Sequence, residues 1–324
     1  MKAAVRDRFG PPDVIEIRDV EKPTPADDEV LVRVRSASLN IADWYGLTGT
    51  PYAGRAQMGL FGPKEHRLGT DYAGVVDEVG KDVTAFQPGD EVFGARTGAF
   101  AEYVSAKEDR GIALKPPTAS FEEAAAVPVA GLTALQGLRD KGQMREGQKV
   151  LIAGASGGVG TFAVQIAKSF GGEVTAVCST RNVELARSLG ADRVRDYSRE
   201  DFTSSGERYD LGVNVNGNTP WSAWKRVLMP SAHFVLIGAS RGTRLLGPIS
   251  HVIRLKLGSL RGGPKVVFFI AKVNKADMET LRELLATGKM KPVVDRRYDF
   301  SEVADAFRYI GEGHARGKVV LEIA

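Results

Sequence analysis

The chain has a single cysteine, Cys178, and only four histidines among its 324 residues. One thiol cannot close an intramolecular disulfide or supply a four-cysteine zinc site. Long apolar runs are missing too: nothing approaches the ~18 uninterrupted apolar residues of a membrane span. The amino terminus Met1-Lys2-Ala3-Ala4-Val5-Arg6-Asp7 meets charge before any stretch of signal-peptide length. The expectation is a cytoplasmic protein with no transmembrane segment. Acids are absent from Ser231 to Ala276, where Arg241, Arg244, Arg254, Lys256, Arg261, Lys265, Lys272 and Lys275 accumulate. That stretch reads as a solvated face, a border of an anionic cofactor, or a weak peripheral contact with anionic membrane, since Ile249–Leu260 mixes apolar and basic residues. Over the whole chain, 44 Lys and Arg against 40 Asp and Glu leave a net charge of +4, too mild to argue for nucleic acid.

What is present is the composition of a globular protein, 43% hydrophobic and 26% charged, with 37 glycines and 15 prolines to punctuate many short elements. The length suggests two domains at roughly 150 residues each. The first part reads as β: Val30-Leu31-Val32-Arg33-Val34-Arg35 alternates with period two, Tyr72–Val79 follows, and Pro88-Gly89-Asp90 turns before Glu91-Val92-Phe93. From Phe121 the pattern changes, with Ser120 as an N-cap and Glu122 and Glu123 in the first helical turn. Strands at Lys149–Ala153, Glu173–Cys178, Arg193–Asp196, Leu211–Val215 and His233–Ile237 alternate with helices at Gly158–Phe170, Asn182–Leu189 and Trp221–Leu228. Such alternation predicts a parallel sheet with helices on both faces. A buried-strand pattern over Val266–Ala271, a helix over Asp277–Ala286 and a strand over Val319–Ile323 follow.

Strand Val150–Ala153 runs into Gly154-Ala155-Ser156-Gly157-Gly158-Val159-Gly160, and a helical pattern begins at once. A glycine-rich turn alone is weak evidence. A strand before it, a helix after it and a second strand ending about 20 residues on make it a dinucleotide site. Glycines let backbone N–H groups approach a pyrophosphate, which then rests on the positive end of the helix. Where an NAD site wants an acid for the ribose 2′-OH, the second strand ends in Cys178-Ser179-Thr180-Arg181. Two hydroxyls and an arginine in place of the acid point to NADP(H), its 2′-phosphate met by Ser179, Thr180 and Arg181. Tyr197, after the third strand, covers the adenine end or simply packs there, and Cys178 reads as a small packing residue.

Further motifs run along nearly the whole chain: Ala37-Ser38-Leu39-Asn40-Ile41-Ala42-Asp43-Trp44-Tyr45, Gly69-Thr70-Asp71-Tyr72-Ala73-Gly74, Pro88–Gly94, Val129-Ala130-Gly131-Leu132-Thr133-Ala134-Leu135 and Gly317–Leu321. With the glycine loop they resemble the zinc-independent medium-chain dehydrogenases/reductases of the quinone oxidoreductase, zeta-crystallin-like group. Within it, Cys178–Asn182 and Gly313–Lys318 are most similar to plant chloroplast-envelope quinone oxidoreductase homologues, which reduce enones. The implied fold is α/β: a GroES-like β-rich catalytic domain over residues 1–122 and 271–324, and a Rossmann doubly wound NADP(H)-binding domain over 123–270.

In zinc members of the same superfamily a metal-bound Cys lies near position 40 and a His-Glu pair follows the glycine matching Gly69; here those places hold Asn40 and Thr70-Asp71. His66, without thiolate partners, reads as a hydrogen-bonded surface residue, so no metal site is expected. Without a Lewis acid, the acceptor expected is a quinone or an α,β-unsaturated carbonyl, whose conjugation spreads the hydride's charge. The resemblance implies that Asn40 contacts the nicotinamide ribose, that Thr133 lies near the nicotinamide, and that Tyr45 and Tyr52 line the substrate side, where either phenol can assist the developing enolate. It further implies that Asn216-Gly217 and Ile237-Gly238-Ala239 close over the ribose. Phe268-Phe269-Ile270 borders the nicotinamide, Lys318 returns to the cofactor cleft, and the protein is a homodimer. Asp43 and Asp71 read as structural. The competing readings are an NADPH-binding sensor or structural protein without turnover, and a metal-dependent alcohol dehydrogenase.

Overall fold

The computed structural model describes residues 1–215, 219–237 and 263–323, and the chain divides into two compact units. Asn216, Gly217, Gly238, Ala239 and most of the acid-free stretch, Ile249–Leu260 included, lie outside the described residues. In chain order the described elements begin with β1 (Lys2–Val5), β2 (Glu16–Asp19), β3 (Glu29–Leu39), α1 (Ile41–Thr48), α2 (Arg55–Met58), β4 (Asp71–Val79), β5 (Glu91–Ala95), β6 (Tyr103–Lys107), β7 (Ile112–Leu114), α3 (Phe121–Ala125) and α4 (Pro128–Gln136). They continue with β8 (Lys149–Ala153), α5 (Gly158–Ser169), β9 (Glu173–Cys178), α6 (Val183–Ser188), β10 (Arg193–Asp196), β11 (Tyr209–Asn214), α7 (Trp221–Val227), β12 (Leu228–Leu236) and β13 (Lys265–Phe268). The last are α8 (Lys275–Ala286), β14 (Val294–Asp299), α9 (Val303–Glu312) and β15 (Lys318–Glu322). None of the described helices is long and apolar enough to cross a membrane.

The first unit comprises Met1–Thr50, Gly54–Leu132 and Lys272–Ala324. Its main sheet has the order β14-β15-β3-β4-β5-β7, with β6 added to β3. β3 holds a central place and is buried along most of its length: Val30, Leu31, Val32 and Val34 are fully buried, and only Arg33 within it is exposed. β15 pairs antiparallel with the carboxyl half of β3, Val319 opposite Leu39, so the chain's last strand completes the sheet that its third began. Phe100 meets Phe307 of α9 edge to face, 5.9 Å between centroids, within the same core.

This unit extends through Leu132, past the break expected after residue 122. The cause is local. Ser120 Oγ accepts from Glu123 N at 3.1 Å and Glu123 Oε2 accepts from Ser120 N at 2.9 Å, a capping box that starts α3 where the sequence predicts. α3 then packs on β3 and β4, and the Ala125 carbonyl accepts from Ser38 Oγ at 2.9 Å.

The second unit comprises Pro51–Ala53 and Thr133–Ala271. Its six strands are all parallel in the order β10-β9-β8-β11-β12-β13. The order reverses between β8 and β11, and ligands of such sheets bind beyond the carboxyl ends of the strands at that switch point. α5 is enclosed from Gly160 to Ala167, as expected of a helix of small and apolar residues. Trp224, fully buried, packs against Phe234 and Phe202 at 4.7 and 6.0 Å between centroids. The expected buried strand over Val266–Ala271 differs: β13 ends at Phe268, and Phe268 and Ile270 are 37% and 79% exposed. β13 is last in the sheet order, so strand neighbours cover it on one side only among the described residues.

Candidate functional site

The glycine loop joins β8 to α5 in the second unit. Gly154 takes a positive φ of 84°, and the Gly154 and Ala155 amides donate to the Val177 carbonyl at 3.1 and 3.2 Å, pinning the loop to the end of β9. A Cβ on Gly160 would stand 2.0 Å from the Gly154 carbonyl oxygen, so only glycine lets α5 begin this close to the strand. Gly157, the N-cap, is different. A Cβ there would meet nothing nearer than Gly154 O at 3.6 Å, so the space beside it is open. The first-turn amides of α5 lack intrahelical acceptors and carry the positive end of the helix dipole, which makes that open space a cradle for a phosphate. Ser156, Gly158 and Val159 are half-buried around it, and Ala155 is fully buried.

A residue outside the predicted set organises two of the hydroxyls. Asn182, 4% exposed, donates from Nδ2 to Ser156 Oγ at 3.0 Å and to Ser179 Oγ at 3.1 Å. Its two N–H groups thus serve two serine oxygens, and each serine keeps its own proton to donate elsewhere. Asn182 Oδ1 is buried without a hydrogen-bond partner.

Thr180 behaves otherwise. It donates its single proton to Asp196 Oδ2 at 2.5 Å, and Asp196 Oδ1 accepts from the Ser198 amide at 2.9 Å. The Thr180 hydroxyl holds the Asp196 carboxyl below the usual carboxylate range. In this structure the Thr180 proton is thus given to Asp196, and an acid stands at this end of the sheet, delivered by β10 opposite Cys178. The segment 178–181 holds no acid because the carboxylate comes from the neighbouring strand; the available signal was Asp196 at the predicted end of that strand, just before Tyr197. Arg181 is exposed, and Tyr197 is 55% exposed, its amide donating to the Cys178 carbonyl at 3.0 Å. Burial pushes the Cys178 thiol up to about 11, which suits a packing residue. Ile237 follows β12 and donates to the Asn214 carbonyl at 3.0 Å, and Thr133 is half-buried in α4.

The first unit holds a buried polar knot. Lys318, 2% exposed, donates from Nζ to Asn40 Oδ1 at 2.7 Å and lies 3.4 Å from Asp71 Oδ2. Asn40 Nδ2 donates to the same carboxylate oxygen at 2.8 Å, and the Val129 amide donates to Asp71 Oδ1 at 3.1 Å. Asp43 accepts from the Asn40 amide at 2.7 Å and from Thr70 Oγ1 at 2.9 Å. Burial pushes Asp43 up to about 6 against the pull of the Asn40 amide. Burial also raises Asp71 and lowers Lys318, each opposed by the other's charge. The Lys318 side chain is enclosed, and its ammonium is engaged by Asn40 and Asp71. Tyr45 is half-buried on α1, while Tyr52, 43% exposed, belongs to the segment that clusters with the second unit. His66 is exposed, with Nδ1 2.9 Å from the Arg6 carbonyl.

A sequence profile described as "Alcohol dehydrogenase GroES-like domain" matches residues 26–117, and one described as "Zinc-binding dehydrogenase" matches residues 189–321. The chain is 33% identical to the chloroplast envelope quinone oxidoreductase homolog of Arabidopsis thaliana, over 95% of this chain and 94% of that protein. The chain belongs to the medium-chain dehydrogenase/reductase family, in its quinone oxidoreductase group. It is also 32% identical to the NADPH-dependent alkenal/one oxidoreductase of Arabidopsis thaliana, over 99% of this chain and 79% of that protein. The solved quinone oxidoreductase of Coxiella burnetii matches it with a TM-score of 0.86 at 29% identity, covering 100% of this chain and 99% of that one. This medium-chain dehydrogenase/reductase is an oxidoreductase. Its second unit fits a dinucleotide, because the space a Cβ would take at Gly157 is open and the Ser156 and Ser179 protons remain available beside the α5 amides.

Proposed function

We propose that the protein is an NADP(H)-dependent reductase that delivers hydride to a quinone or to the β-carbon of an enone, without zinc. The observation that carries this reading is the Lys318 ammonium at Asn40 and Asp71. Those two residues, with Thr70, stand where zinc-dependent relatives are expected to place Cys and His-Glu. An amide, a hydroxyl and a carboxylate already engaged by a buried cation form a poor donor set for Zn²⁺, which takes thiolate and imidazole and is repelled by an ammonium. An acceptor that stabilises its own developing charge fits a site of this kind. The relative named for NADPH-dependent alkenal/one reduction supports the same substrate class.

NADPH, when bound, supplies the hydride. The chain's own contribution is to hold it: the α5 amides and the Ser156 proton serve the pyrophosphate, and Ser179 and Arg181 serve the 2′-phosphate. Asn40, oriented by Lys318 and Asp71, is assigned to the nicotinamide end with Thr133, and Phe268, Phe269 and Ile270 border it. Tyr45 and Tyr52 are assigned to the acceptor, where a phenol can hydrogen-bond the developing enolate oxygen. A homodimer and a cytoplasmic location complete the reading. Single-turnover oxidation of bound NADPH, followed by its absorbance against a panel of enones and quinones, tests it. Oxidation by at least one member is expected; none by any electrophile leaves a binding protein, and stoichiometric zinc in protein purified without chelators leaves an alcohol dehydrogenase.

A further inference from the structure

We propose that Thr180 and Asp196 together set the preference of the second unit for a 2′-phosphorylated nucleotide over its unphosphorylated counterpart. The inference rests on the NADP(H) reading and adds the device that enforces it. Asp196 ends β10 opposite Cys178, so strand pairing brings a carboxylate to the end of the sheet where a nucleotide ribose is read. An open acid there accepts hydrogen bonds from a ribose diol and repels a phosphate. This acid is closed. Its Oδ2 takes the Thr180 proton at 2.5 Å, its Oδ1 takes the Ser198 N–H at 2.9 Å, and the residue is only 9% exposed. The Arg199 guanidinium lies 4.0 Å from Oδ2 and further offsets its charge. With each oxygen holding one hydrogen bond and the group buried, Asp196 is a less accessible acceptor for a 2′-hydroxyl, and Ser179, which Asn182 leaves with its own proton, can donate to a phosphate. Thr180 is a specificity-determining residue that acts through Asp196, because its own proton goes there. The pairing also explains why an exposed threonine sits next to an ionised carboxylate that local sequence does not pair with it.

The test measures the affinities of NADPH and NADH by fluorescence titration, and of 2′,5′-ADP and 5′-ADP by calorimetry, on the full chain as wild type, T180V, T180S, D196N and T180V/D196N. Valine keeps the shape of threonine and removes only the hydroxyl, so T180V opens the carboxylate. The NADPH-to-NADH affinity ratio should fall about tenfold or more in T180V, the scale of one charge-assisted hydrogen bond, and stay at the wild-type value in T180S. Adding T180V to D196N should leave the ratio where D196N puts it, since no carboxylate remains to be opened. An unchanged ratio in T180V, or an equal fall in both backgrounds, overturns the proposal. Should D196N fail to fold, the contrast between T180V and T180S still decides it. A wild-type ratio near one overturns the NADP(H) reading alone, because the present inference is read from the shift.

Discussion

Lys318 Nζ lies 2.7 Å from Asn40 Oδ1, although the two residues are 278 positions apart and both are buried. The contact exists because β15 pairs with β3, which brings Val319 opposite Leu39 and their neighbours together. Asp71, fully buried at the start of β4, is the counter-charge.

Replacing Lys318 with Met leaves the Asp71 carboxylate buried without its cation. Removal of one partner from a buried pair should cost about 3–5 kcal/mol, whereas K318M/D71N, which removes both charges, should recover most of the loss. Urea denaturation midpoints check this; a loss in K318M that D71N does not relieve would show that the two charges are not coupled.

Asp43 gives a pH dependence whose sign follows from its burial. Its carboxyl is pushed up to about 6 in the folded chain, from an ordinary 3.8. Between those values the native state holds a proton that the unfolded state has released, so this contribution is present below about 3.8 and is lost as pH rises through about 6. Denaturation from pH 3.5 to 7.5 should therefore show wild type losing stability relative to D43N as pH rises across that window. Parallel curves for the two proteins would contradict it.

The two glycines of the loop should separate fold from binding. G157A places its methyl group in open space at an acceptable φ of −84°, so stability should stay within about 1 kcal/mol of wild type while cofactor affinity falls. G160A drives a Cβ against the Gly154 carbonyl and should destabilise the fold by about 1–3 kcal/mol. Thermal melting and NADPH titration on both variants read the two effects apart.

Asn182 should act through the serines it holds. In a double-mutant cycle on NADPH affinity, N182A and S179A should be coupled by about 1 kcal/mol or more, because either change removes the same oriented donor. The S156A cycle should behave alike. Strict additivity would mean that Asn182 merely fills space.

The parallel order of strands and helices was legible because period-two and helical patterns, glycine turns and the Ser120 cap are local signals, and the structure forms β8, α5, β9 and β10 at those places. The end of the strand at Phe268 was not legible, since an edge strand and a central one carry the same Val266-Val267-Phe268 pattern until the neighbour on the far side is known. The break after Leu132 was hidden for a related reason: α3 is an ordinary helix by sequence, and only the Ala125 carbonyl meeting Ser38 ties it to the first unit.

The lone cysteine, the glycine loop and the acid-free segment after Cys178 were settled by sequence alone, because each depends on residue types within one short stretch. What the hydroxyls and charges do was settled by tertiary structure. Thr180 faces Asp196, Ser156 meets Ser179 through Asn182, and Lys318 meets Asn40, in each case through strand pairing or packing that no local pattern encodes. A hydrogen bond is decided within a few tenths of an ångström, and only the folded chain sets distances that fine.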